Sequence, residues 1–261
     1  MHNFENIRFE KQGAVVRIQL NRPDAANGLD TRMSDELNRA ARLCDTDPEI
    51  KAVILTAEGR FFCAGGDIKE MQSHGDEVGN AVKALADDLH SAISTFCRMD
   101  AALVIAVNGV AAGAGFSIAL TGDHVIAAES ASFTMAYTKA GLCPDGSSSY
   151  FLPRIVGLRK AQELMLTNRT LSSEEARELG IVTEVVTDAE LQQRAEQVAA
   201  GFAEASKAST ACVKKLLLTS FTNTLETQME IEGRFVSRCA ASADGREGIQ
   251  AFVEKRKPEF E

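Results

Sequence analysis

The chain opens with two short runs in which apolar and polar residues alternate imperfectly, Phe4 to Lys11 and Ala14 to Leu20, on either side of Gln12-Gly13. Period-two patterning rich in Ile, Val and Phe around a glycine turn predicts a β-hairpin. The period then changes. Met33, Leu37, Ala40, Ala41 and Cys44 recur at helical spacing, and Asp30 or Thr31 stands where an N-cap belongs. A helix is therefore expected to about Cys44. Ala52 to Thr56 (AVILT) has the length and apolar character of a buried strand. After a glycine-containing loop the pattern gives a helix around Ala81 to Arg98, a strand Leu103 to Val107, a helix beginning near Gly113 and a strand His124 to Ala128. Strands alternating with helices in this order predict an α/β fold with a partly parallel sheet.

Beyond Gly180 the pattern is helical apart from Ile181 to Val186. Helices are expected over Asp188 to Ala205, Lys207 to Ser220, Thr224 to Ala241 and Gly245 to Lys255. The expected division is an α/β core over 1–190 and a helical C-terminal region over 191–261. The 22 residues between Asp100 and Asp123 carry no charge, a length that can cross a bilayer. Asn108, Gly109, Gly113 and Gly115 interrupt them, and their first part, ALVIAV, reads as a buried strand. Strand, turn and buried helix start describe this segment better than a membrane span.

With 261 residues, 45% hydrophobic and 25% charged, the chain has ordinary globular composition and enough length for a substantial core. Its net charge of -9 argues against a generic nucleic-acid binder or a polybasic membrane-surface protein. Any anionic ligand must be met by a local basic cluster. Among the six cysteines the closest pair, Cys44 and Cys63, lies 19 residues apart, so no compact metal-ligand spacing exists. MHNFENIRFEK at the start lacks the apolar stretch of a secretory signal, and reduced thiols in the cytoplasm are the expectation.

Two stretches suggest chemistry. Gly59 to Ile68 (GRFFCAGGDI) follows a buried strand and precedes helix-compatible sequence. Adjacent glycines let backbone N–H groups approach a ligand closely, although a tight turn alone would also use them. Asn108 to Phe116 (NGVAAGAGF) likewise runs from a strand into a small-residue turn and a helix start. Unpaired N–H groups there favour developing negative charge; close helix–strand packing would need the same small residues.

Together the two stretches resemble the two halves of the oxyanion hole in the enoyl-CoA hydratase/isomerase (crotonase) superfamily. The resemblance covers nearly the whole chain. It includes Asn21-Arg22-Pro23, CAGGDIKEM from Cys63, NGVAAGAG from Asn108, Pro144-Asp145-Gly146, Leu152-Pro153-Arg154, EEARELGIV from Glu174 and the terminal FVEKRKPEF. It implies a spiral of repeated ββα units and a helical C-terminal region that builds trimers, often paired into hexamers. It also implies that the amides of Gly66 and Ala114 hold the thioester oxygen of an acyl-CoA. Coenzyme A would lie along Arg22, Asp24, Ala25 and Ala26 and along Ala64, Gly66, Asp67 and Ile68, and Gly113, Ala114 and Tyr137 complete the set of residues expected to bind it. Asp24 replaces a lysine common in relatives, and Lys255, Arg256 and Lys257 are either phosphate ligands or a solvated basic tail. No cofactor is implied beyond the coenzyme A moiety of the substrate, and no metal.

The pattern breaks where hydratases carry their two glutamates, because those positions match Ser117 and Tyr137. Serine needs its own activator and tyrosine ionises near pH ~10, so neither replaces a carboxylate base. Asp145 remains. In isolation it reads as an N-cap for the Ser147 to Leu152 segment; within the family it resembles the catalytic Asp of the branch that isomerises ring-derived CoA thioesters and shifts double bonds. The 4-chlorobenzoyl-CoA dehalogenases offer a second resemblance through Glu163 to Leu171, an Asp nucleophile matching Asp145 and a His base matching His90, but their tryptophan is Tyr137 here. The reading is an acyl-CoA isomerase with Asp145 as acid/base. The alternatives are enoyl-CoA hydration, aryl-CoA dehalogenation and a non-catalytic CoA-thioester binder.

Overall fold

The computed structural model describes residues 4–260. β1 (Ile7–Gln12) and β2 (Val15–Leu20) pair antiparallel around Gly13, whose φ of 57° suits the tight turn. α1 (Thr31–Thr46) begins where Asp30 accepts a hydrogen bond from the Met33 N–H, the N-cap expected from the sequence. Next come β3 (Ala52–Ala57), β4 (Phe61–Cys63), α2 (Ile68–Ser73), α3 (Val78–Arg98), β5 (Ala102–Val107), β6 (Val110–Ala112) and α4 (Ala114–Ala119). β7 (His124–Ala128), β8 (Ser132–Thr134), α5 (Ser148–Val156), α6 (Leu158–Thr167), β9 (Leu171–Ser172), α7 (Ser173–Glu178) and β10 (Glu184–Val186) follow. The chain ends in α8 (Leu191–Ala203), α9 (Lys207–Thr219), α10 (Leu225–Ala241) and α11 (Ala243–Glu254).

Two sheets result. The larger has the order β1-β2-β3-β5-β7-β10 and the smaller β4-β6-β8-β9. Each of the pairs β3/β4, β5/β6 and β7/β8 gives its first strand to the large sheet and its second to the small one, all joined to their like in parallel. This is the expected repeat of ββα units in an α/β spiral. Every residue of β5 is buried, as its uninterrupted apolar sequence requires for a strand covered on both faces. The uncharged segment after Asp100 is thus core, and among the described residues no helix is long and apolar enough to cross a membrane.

Three details differ from the sequence expectation. The small sheet was not foreseen, because its strands are two or three residues long and lack a readable period. The helix expected from Gly113 spans only six residues, with β6 just before it. The helical region expected from 191 shares its first helix with the core: α8 lies across β3, β5 and β7 and buries Leu191, Ala195 and Ala199.

Candidate active site

The small sheet sets the two glycine turns side by side. Cys63 of β4 stands opposite Ala111 of β6, so the segments leaving these strands run together. A Cβ on Gly115 would sit 2.2 Å from the Cys63 carbonyl oxygen, and one on Gly109 2.0 Å from that of Arg60. Only glycine permits this approach of backbone to backbone. A Cβ on Gly65 would lie 3.6 Å from the Ala114 nitrogen, a measure of how closely the turns touch.

The amides of Gly66 and Ala114 are unspent by the fold. Gly66 forms a parallel bridge to Leu29 in which its neighbours make the bonds: Leu29 N–H donates to the Gly65 oxygen, and Asp67 N–H to the Leu29 oxygen, both at 2.8 Å. In such a bridge the central residue's own N–H points to the opposite edge. Ala114 is the first residue of α4, where the helix supplies no acceptor. Gly113, at φ 52°, gives its own N–H to the Thr134 oxygen and turns the chain into α4.

Asp145 is not the helix cap that its position suggested. Ser147 occupies the N-cap of α5 and makes no side-chain cap bond; the Asp145 main-chain oxygen instead accepts from Ser148 N–H at 3.2 Å and Ser148 Oγ at 2.9 Å. The carboxylate is left for other partners. Tyr137 donates its hydroxyl to Oδ1 at 2.7 Å, and Oδ2 lies 3.4 Å from His90 Nε2. Ser117 Oγ is 3.0 Å from the Tyr137 hydroxyl. Burial first, and the facing Asp145 charge second, push the Tyr137 phenol well above its ordinary pKa, so it stays a donor. Ala136 at φ 55° and Ser147 at φ 68° are non-glycine residues in left-handed conformation just before Tyr137 and two residues after Asp145. Such strain, concentrated in the two turns that aim these side chains, is typical of functional sites.

The residues matched to coenzyme A also come together. Ala64 N–H donates to the Ala26 oxygen at 3.1 Å, joining the Arg22–Ala26 turn to the Ala64–Ile68 turn. Asp24, Ala25, Ala64 and Ile68 are exposed there. Two charged side chains in the set are bound internally. Arg22 ion-pairs with Asp67 at 3.0 Å and Asp30 at 3.2 Å and donates to the Gly28 oxygen. Asp67 also caps α2 through the Lys69 and Glu70 N–H groups. Partial burial opposes its ionisation, but the Glu70 N–H and the guanidinium outweigh that and hold its pKa below the ordinary value. In the basic tail, Arg256 is clasped by Glu247 and Glu254 and Lys257 by Glu204, so these charges are already matched within the chain.

Asn27 was missed by sequence reasoning. Fully buried at φ 51°, it accepts from the Arg22 N–H and donates to the Glu58 and Phe61 oxygens, locking the Arg22 turn to the entrance of β4. Its signal was the polar residue in Ala25-Ala26-Asn27-Gly28, an αL-tolerant Asn before Gly. Two cavities of about 620 and 690 Å³ lie elsewhere, beside α5 and α9 and between α9, α10 and α11, and contain none of the candidate catalytic residues.

Known proteins share both sequence and fold. The enoyl-CoA hydratase/isomerase family profile matches residues 10–261. The 1,2-epoxyphenylacetyl-CoA isomerase of Escherichia coli K12 is 36% identical over 250 residues, 94% of this chain and 94% of that protein. The "Probable enoyl-CoA hydratase" of Rhodobacter capsulatus is 37% identical over 258 residues, 99% of this chain and 98% of its own. The crystal structure of an enoyl-CoA hydratase from Polaromonas sp. JS666 superposes with a TM-score of 0.93 at 31% identity, covering 98% of this chain and 99% of that one. The chain belongs to the enoyl-CoA hydratase/isomerase family of enzymes, the crotonase superfamily.

Proposed function

We propose that this enzyme is an acyl-CoA isomerase that moves a proton, and with it a double bond, through a thioester enolate. The observation that carries the reading is the Asp145 carboxylate, released from capping α5 and held by Tyr137 on one oxygen while the other faces His90. Asp145 Oδ2 removes a proton from the carbon next to the thioester. The C–H electron pair passes into an enolate whose oxygen accepts hydrogen bonds from the Gly66 and Ala114 amides. Donors preorganised at that oxygen favour the enolate over the ground-state carbonyl, each worth ~3 kcal/mol. The same carboxyl then returns a proton to a different carbon, and the double bond shifts.

The coenzyme A moiety would run along Arg22 to Ala26 and Ala64 to Ile68, with Arg22 and Asp67 shaping these turns through their mutual ion pair. The relative named a 1,2-epoxyphenylacetyl-CoA isomerase supports a substrate with a ring-derived acyl group. Hydration is the weaker reading, because the serine–tyrosine pair at 117 and 137 supplies no base to activate water. One observation favours a second chemistry: the His90 Nε2 to Asp145 Oδ2 distance of 3.4 Å also suits hydrolytic dehalogenation, with Asp145 as nucleophile. Assembly as a homotrimer or hexamer is supported by an exposed apolar row on α10 and α11 and the turn before them, including Phe221, Leu225, Val236, Phe252 and Val253.

The test is a mass-spectrometric screen against acyl-CoA thioesters in heavy water. Isomerisation leaves the mass unchanged except for exchanged deuterium; hydration adds water; dehalogenation replaces chlorine. Asp145→Asn keeps the shape but accepts no proton, and it should lower isomerisation by roughly 10²–10⁴-fold with little loss of acyl-CoA affinity. Near-parental turnover by this variant rejects the assignment.

A further inference from the structure

Asp145 has one oxygen tied inward and one turned outward. Oδ1 accepts from Tyr137, which Ser117 supports from the buried side. Oδ2 lies 3.4 Å from Nε2 of His90, a side chain that is 47% exposed against 31% for Asp145 itself. The same Nε2 accepts a hydrogen bond from the Gly146 N–H at 3.2 Å. A ring nitrogen that accepts from a backbone amide carries no hydrogen, so the neutral imidazole keeps its proton on Nδ1. The chain therefore holds a basic nitrogen against the outward oxygen of its acid/base group, on a ring that is half exposed to water.

We propose that His90 is the proton outlet of the site, exchanging the proton carried by Asp145 with solvent. The inference rests on Asp145 as the acid/base of the isomerase reading and adds the route by which its proton leaves. The substrate C–H bond breaks, its electron pair enters the enolate, and the proton forms a bond to Asp145 Oδ2. That O–H bond then breaks as Nε2–H forms, which restores the carboxylate and makes His90 an imidazolium. Nε2 gives up the Gly146 N–H as it takes the proton. The ring then passes that Nε2 proton to water, and a water-derived proton taken up at Nε2 moves to Oδ2 and on to the substrate. No oxidant or reductant enters. His90 acts through Asp145 and not on the substrate.

The outlet predicts where the delivered hydrogen comes from. A carboxyl working alone hands back the proton it removed, whereas a carboxyl in exchange with His90 delivers one from solvent. The probe is a short-chain 3-enoyl-CoA turned over in heavy water, with deuterium counted at C4 of the 2-enoyl-CoA product early in the reaction. The parent enzyme should deliver deuterium. His90→Gln, whose amide oxygen still accepts from Gly146 N–H but relays no proton, should lower deuterium per product molecule by about fivefold or more. In His90→Ala, added imidazole should restore the deuterium content, which a lost scaffold contact would not allow. Equal deuterium per product in His90→Gln and the parent overturns the outlet while leaving Asp145 in place. Failure of imidazole to restore exchange assigns the effect to scaffolding and also overturns it. Parental turnover by Asp145→Asn overturns the isomerase reading, and the outlet with it.

Discussion

Tyr137 donates its hydroxyl to Asp145 Oδ1 across 2.7 Å, and its oxygen lies 3.0 Å from Ser117 Oγ. Ser117 and Tyr137, where the family resemblance places the hydratase glutamates, thus form a hydroxyl pair whose tyrosine holds a carboxylate from another turn. The phenol, buried and facing a negative charge, stays protonated and does not compete for the substrate's proton. In the proposed isomerase reaction this concentrates the proton transfer on one acid instead of two.

Tyr137→Phe keeps the ring and removes the grip. A hydrogen bond to a charged partner contributes about 1.5–3 kcal/mol, so kcat should fall roughly 10-fold to 100-fold with KM changed far less. Steady-state kinetics on the isomerised substrate checks this split. An equal rise in KM with intact kcat would make Tyr137 a binding contact and not a positioning one.

The same tyrosine gives a pH prediction. Its folded pKa is raised above the ordinary 10.0, so folding favours the neutral phenol. The associated stability is fully present below that ordinary pKa and is lost as pH rises above it. The chain has two tyrosines and no tryptophan, so in Tyr150→Phe the phenolate absorbance band reports Tyr137 alone. That band should stay silent through pH ~10, where a free tyrosine is half ionised, and appear only as the protein unfolds in stronger alkali.

The large sheet was legible because β3, β5 and β7 are short apolar runs between amphipathic helices, and Asp30 announced its helix by ordinary capping. The small sheet was not, since Phe61–Cys63 and Val110–Ala112 pair through three residues each and owe their place to the glycines around them. At the site, family position brought Asp145, Gly66 and Ala114 forward. Local sequence misled at Asp145, because the capping preference of Asp assumes a chain entering the helix in extended form. Here Ser147 enters at φ 68° and the carboxylate swings away. From sequence Arg22 was a coenzyme A contact by family resemblance; its ion pairs with Asp30 and Asp67 join residues separated along the chain and form only in the fold.

Gly115→Ala tests whether the two turns must touch. The added Cβ would meet the Cys63 oxygen at 2.2 Å and its carbonyl carbon at 2.9 Å, and backbone cannot step aside as a side-chain tip can. The variant should lose about 1–3 kcal/mol in denaturant unfolding and separate the Gly66 and Ala114 amides, lowering kcat as well. Gly79→Ala, within α3 and with nothing within 4 Å of its Cβ, is the control that should lose no stability and leave the rate unchanged.

Lys214 tests the joint between the C-terminal helices and the core. Its side chain is 6% exposed, and its ammonium donates to the Phe96 oxygen at 3.1 Å and the Ala101 oxygen at 2.7 Å and pairs with Asp123 at 2.7 Å. One buried charge on α9 thus satisfies the end of α3, the entry to β5 and the turn before β7. Lys214→Met keeps much of the volume but takes this donor from two carbonyls and leaves the Asp123 carboxylate with only the Leu103 N–H, and it should cost about 3–5 kcal/mol at neutral pH. Burial raises the Asp123 pKa even in the parent, with Lys214 pulling against it, so losing the lysine raises it further. A raised folded pKa contributes stability at low pH that disappears as pH rises through it. The deficit of Lys214→Met relative to the parent should therefore be largest near neutrality and shrink as pH falls toward the ordinary Asp value of 3.8. Adding Asp123→Asn, which removes the stranded charge, should recover part of the lost stability at neutral pH. Denaturant unfolding of both variants across pH measures this, and a pH-independent deficit with no recovery would show that Lys214 acts through packing alone.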